Sequence, residues 1–126
     1  LHRLYSAVAV LAAAIVISVL GYECNTHTAK EVSDAMQYAL HYFEMGEVRN
    51  AERSIFDAKN TISSNRNYLY LFVCHDVIDE IERCVEKAEV CLARNDKTLF
   101  SLYCSNAINL TKDFEDLQYP NLSNII

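Results

Sequence analysis

The first feature of the hydrophobic pattern is a run with no polar phase at all. Residues 4–22, LYSAVAVLAAAIVISVLGY, carry no charge, and only Ser6, Ser18 and Gly21 interrupt their apolar character. A helix crossing a bilayer core needs about 20 mostly apolar residues, so the run predicts a transmembrane helix from Leu4 to Tyr22. Tyr5 and Tyr22 sit near its ends, where an aromatic belt meets the headgroups. His2 and Arg3 precede the run and Glu23 comes directly after it. Cationic residues before a span favour keeping that side in the cytoplasm, which places the remainder outside. The competing reading is a cleaved secretory signal, with residues 7–20 as its core and Val19-Leu20-Gly21 as its cleavage site. The run is long for a signal core, and both readings export the rest of the chain.

Beyond residue 27 the apolar positions become periodic at helical spacing. Thr28-Ala-Lys-Glu31 reads as a capping box that opens a helix. Its stripe is Val32, Met36, Ala39, Leu40 and Phe43, and Gly46 is its stop. A second helix carries Val48, Ala51, Ile55, Ala58 and Ile62, and weakens at Ser63-Ser64-Asn65. Residues 68–74, YLYLFVC, would suit a strand, but no second strand exists to pair with them. They read as a buried helix end or packed turn. His75-Asp76 opens a third helix with Asp76 as N-cap. Its core stripe is Ile78, Ile81, Val85, Ala88 and Leu92, and its acidic face is Asp79, Glu82, Glu86 and Glu89. Asn95-Asp96 is a turn, and Asp96 caps a fourth helix with Leu99, Tyr103, Ala107, Leu110, Phe114 and Leu117 as its stripe. Pro120 ends it.

Residues 39–47 and 88–96 are weakly similar, both reading as a helix end with a short turn. The pattern therefore predicts an all-α protein: an N-terminal transmembrane helix within residues 1–22, then a four-helix bundle of two antiparallel helical hairpins over residues 23–126, with a short tail.

Composition narrows the class. Two glycines and one proline are too few for a β-rich domain. Beyond residue 22 lie all 17 Asp+Glu but only 10 of the 11 Lys+Arg, a net charge of −7. No basic face is available for nucleic acid. Five cysteines, an odd number, leave at least one thiol unpaired within the chain, and their spacing matches no zinc module.

Three constellations could carry chemistry. His75 with Asp76, Asp79 and Glu82 could hold a metal or act as an acid–base set, although a polar helix start explains the same residues. Cys84, Cys91 and Cys104 read as buried core thiols, with a Cys91–Cys104 disulfide across the turn at Asn95-Asp96 as the alternative, since export permits oxidation. Asn124, Ile125 and Ile126 form an apolar end to an acidic chain. They are expected to fold back over residues 68–73, with His75 capping the same junction, or else to serve as a docking tail.

Residues 67–82, NYLYLFVCHDVIDEIE, together with the tail LSNII, are similar to the family called domain of unknown function 4363. In that family aromatic and aliphatic residues precede a His, here His75. An acidic-aliphatic run comes next, here Asp76 to Glu82, and the tail carries an Asn, here Asn124. The family's tryptophan before this His is missing, and the cysteines are not part of its pattern. The resemblance implies a small membrane-associated helical protein of Gram-positive bacteria, beside another integral membrane protein and without a known reaction.

The expected function is thus a membrane-anchored, extracytoplasmic interaction or scaffold module. It would be single-pass in the cell membrane through residues 4–22, and neither an enzyme nor a cofactor protein. The alternative is an extracytoplasmic metal-binding or thiol-redox protein using His75 with nearby carboxylates or the cysteines.

Overall fold

The computed structural model describes the backbone of residues 1–72 and 75–118, and the side chains among these except at 22–25, 72 and 114–118. The chain is all-helical over this range. Its elements are α1 (His2–Glu44), α2 (Val48–Phe72), α3 (His75–Ala93) and α4 (Lys97–Gln118).

The expected break between membrane helix and first bundle helix does not occur. α1 runs unbroken for 43 residues. Thr28, the expected cap, is a buried residue inside it, and Glu31 instead meets His27 one turn back at 2.8 Å. A new start at Thr28 would strand up to four backbone amides without partners. With no proline in the way and only Gly21 as a weak spot, continuing the helix costs less. Residues 1–20 are exposed on every side, and Gly21 is the first buried residue. Packing therefore begins where the apolar run ends.

α1 stops at Gly46, whose φ is +80°, a left-handed conformation that glycine adopts without Cβ strain. The Gly46 N–H donates to the Phe43 carbonyl at 3.1 Å and the Glu47 N–H to that of Tyr42 at 2.8 Å. This is a Schellman ending. The end of α3 repeats it with Asn95 at φ +56°. There the Asn95 N–H donates to Leu92 at 3.1 Å and the Asp96 N–H to Cys91 at 3.0 Å. Asp96 then caps α4 by accepting the Leu99 N–H at 3.1 Å, as its position in the sequence predicts.

The likeness of the two turns extends to the core. With the same 49-residue offset, Val32, Met36, Ala39 and Phe43 correspond to Ile81, Val85, Ala88 and Leu92. Ala51, Ile55, Ala58 and Ile62 correspond to Phe100, Cys104, Ala107 and Thr111. All sixteen are buried. The bundle is two equivalent hairpins, α1–α2 and α3–α4. α1 packs on α2 and α4, and α3 on α4 and α2. Alanines at 39, 51, 58, 88 and 107 let the helices close, and Phe43 fills the distal end against Phe100, with ring centroids 4.7 Å apart.

Three side-chain placements differ from the pattern. In α4 the buried face is Phe100, Cys104, Ala107 and Thr111, while Leu99 is 41% exposed and Tyr103 and Leu110 are half-buried. Two apolar rows lie side by side on this helix, and the smaller one permits the closer approach. Thr111 satisfies its buried hydroxyl by donating to the Ile108 carbonyl at 2.6 Å. Val48 in α2 is 39% exposed, outside the core. Asp76 is not the N-cap, because α3 already begins at His75. Phe114, Leu117 and the tail with Asn124, Ile125 and Ile126 lie outside the described side chains.

Candidate functional site

The polar residues singled out by the sequence meet along the seam between α2 and α3. α2 continues through Ser63-Ser64-Asn65, where the Asn65 amide donates to the Thr61 carbonyl one turn back at 2.8 Å. That extension carries Arg66 and Tyr70, one turn apart, onto the face opposite Asp79 and Glu82. Arg66 Nη2 donates to Glu82, and the Tyr70 hydroxyl donates to Asp79 at 2.8 Å. The Tyr70 ring stacks on His75 at 4.0 Å between centroids, with 25° between planes. Farther along the seam, Lys59 meets Glu89 at 3.1 Å.

These contacts shift two ionisation equilibria. The hydrogen bond and charge of Glu82 push the Arg66 guanidinium above its ordinary value. The hydrogen bond to Asp79, and after it burial, does the same to the Tyr70 phenol.

The four candidate ligands are therefore brought near one another but occupied differently. Asp79 and Glu82 accept bonds from Tyr70 and Arg66, His75 is stacked, and His75 and Asp76 are exposed. Among the described residues no three His, Cys, Asp or Glu side chains gather in a cation site. The sequence pattern does not single out Arg66 and Tyr70. Their signal is the i, i+4 spacing facing Asp79 and Glu82, and the polar residues 63–65 hide it by masking the continuation of the helix.

Below the seam lies an apolar cleft lined by Ala29, Val32, Ile62, Leu69, Ile78 and Thr111, among others. Its space is about 20 Å³, room for a single water. A small-molecule site is usually some hundreds of Å³, about 300–1,000. Cys91 and Cys104 carry no bridge in this structure. Cys84, Cys91 and Cys104 are free, buried thiols, filling the core as small apolar groups. Burial, and after it the presence of Cys91, pushes the Cys104 thiol up to about 12.

The end of α2 differs from the expected buried segment. Of residues 68–71, only Leu69 is buried. Tyr68 is 50% and Leu71 76% exposed. This apolar corner lies at the end of the bundle from which the α1 apolar run emerges.

The family described as Domain of unknown function (DUF4363) matches residues 19–125, and the chain belongs to it. The match starts at the last turn of the apolar run and takes in the whole bundle. No curated protein and no solved structure matches the chain.

Proposed function

We propose that this DUF4363 member is a membrane-anchored helical module that presents its bundle to a partner and performs no catalysis. The observation that carries this reading is the unbroken α1. Its residues 4–20 are uncharged, almost all apolar and exposed on every side, and the same helix then supplies one quarter of the bundle. A helix without a hinge couples bundle and span rigidly, as suits a module that must hold a surface at a set height above a membrane. The paired state of Asp79 and Glu82 favours an interaction role. The cation Arg3 before the span supports an extracytoplasmic bundle, and another integral membrane protein is the partner proposed.

The test is extraction. The protein is expected to stay with membranes through a high-salt and an alkaline wash, and protease added to intact cells should remove the bundle. A soluble chain beginning near Tyr22 would overturn the anchor. Cross-linking in membranes, with identification of the captured protein, addresses the partner. A thiol-redox role is the second reading, carried by Cys91 and Cys104 as buried thiols on the consecutive helices α3 and α4. Thiol counting before and after reduction would support it by finding a reducible pair.

A further inference from the structure

The exposed apolar corner at the end of α2 has a defined height relative to the span. α1 takes 24 residues from Gly21 to Met45, and α2 takes 24 from Glu47 back to Leu71. At 1.5 Å per residue both legs are about 36 Å, so in this hairpin Leu71 returns to the level of Gly21. Gly21 is the point at which the apolar run gives way to the packed bundle. An exposed Leu is ordinary by itself. Here its height is what matters: Leu71 and Tyr68 share one exposed face of α2 where the surrounding medium changes from lipid to water. Residues 67–74 carry no charge. The nearest cation on the N-terminal side, Arg66, is neutralised by Glu82.

We propose that this corner, led by Tyr68 and Leu71, is seated in the headgroup layer of the same bilayer that α1 crosses. The inference rests on the reading of α1 as a span. Tyrosine suits that layer, with an apolar ring and a polar tip, and leucine next to it reaches the acyl boundary. The membrane then touches the bundle at two points. The second point stops the bundle from tilting about α1 and sets the orientation of its outer faces. The Tyr70–His75 stack and the Tyr70–Asp79 bond lie at the level of this contact, with the Arg66–Glu82 bond one turn above it, and together they hold the corner in place.

The chain contains no tryptophan, so any introduced one is a sole reporter. Leu71→Trp and Tyr68→Trp replace exposed residues and leave the core intact. The full chain is reconstituted in phosphatidylcholine vesicles whose acyl chains are brominated either near the headgroup or near the bilayer centre. Both variants should emit towards the blue and lose emission to the shallow bromines more than to the deep ones. Phe56→Trp, exposed on α2 about 22 Å farther from the membrane by helix rise, should be red and unquenched. Ile15→Trp, within the apolar run, should be quenched by the deep bromines.

Quenching of Ile15→Trp without quenching at positions 68 and 71 overturns the seated corner and leaves the span intact. Failure of Ile15→Trp itself overturns the span. Blue but unquenched emission at position 71 also overturns the proposal, and assigns the cover to polypeptide, such as residues 119–126 or a partner. Equal quenching at positions 56 and 71 would mean that the bundle lies flat, which overturns it too.

Discussion

Gly46 and Asn95 occupy the same place in two copies of one helix ending, 49 residues apart, with φ of +80° and +56°. Each turns its chain from one helix of a hairpin into the next. The two residues do not bear this conformation equally. Glycine enters it freely, whereas asparagine bears part of the Cβ penalty that makes it rare for other residues.

The first prediction rests on that difference. Nothing lies within 4 Å of a Cβ built at Gly46, so Gly46→Ala would meet only the backbone penalty. It is expected to destabilise by about 1 kcal/mol. Asn95→Gly should be neutral or stabilising by a few tenths. Denaturant midpoints of the two variants check this, and a higher midpoint for Gly46→Ala would contradict the left-handed turn.

A second prediction concerns which row of α4 faces inward. Phe100 is fully buried against Phe43, and its replacement by Ala should cost about 3–5 kcal/mol through lost contacts and a cavity. Leu99→Ala, at a position 41% exposed, should cost less than about 1 kcal/mol. Thermal melts that ranked them the other way would restore the row through Leu99, Tyr103 and Leu110.

Third, Cys104 should make stability fall at alkaline pH. Its thiol is raised from an ordinary 9.0 to about 12, first by burial and then by Cys91. The folded state thus prefers the neutral thiol more strongly than the unfolded state does. The associated stability is complete below about pH 9 and is lost progressively as pH rises towards 12. One such group contributes a slope of at most about 1.4 kcal/mol per pH unit. Urea midpoints at pH 8 and pH 10 should separate less in Cys104→Ala than in the parent protein. At pH 8, peptide mapping should find Cys104 alkylated in urea and spared in the native protein. Equal rates in the two states would place Cys104 at the surface.

The sequence by itself determined the helices and most of their inner faces. An uncharged run of 19 residues has few ways to satisfy its backbone in lipid other than as a helix. The rows Val32–Met36–Ala39–Phe43 and Ile78–Ile81–Val85–Ala88–Leu92 each define one apolar face, and the structure buries them. Gly46 and Asn95-Asp96 marked the turns because few residues tolerate those backbone angles. The tertiary structure decided what local signals left balanced. Thr28 and Glu31 fit a helix start as well as a helix interior, and the unbroken hydrogen-bond ladder favoured the interior. Two apolar rows competed on α4, and close contact between hairpins selected the one with Phe100, Cys104 and Ala107. Arg66 and Tyr70 became partners of Glu82 and Asp79 only when α2 and α3 lay antiparallel. The exposure of Leu71 has its origin in the same packing: a sequence states that a residue is apolar, and the three-dimensional arrangement of its neighbours determines whether protein covers it.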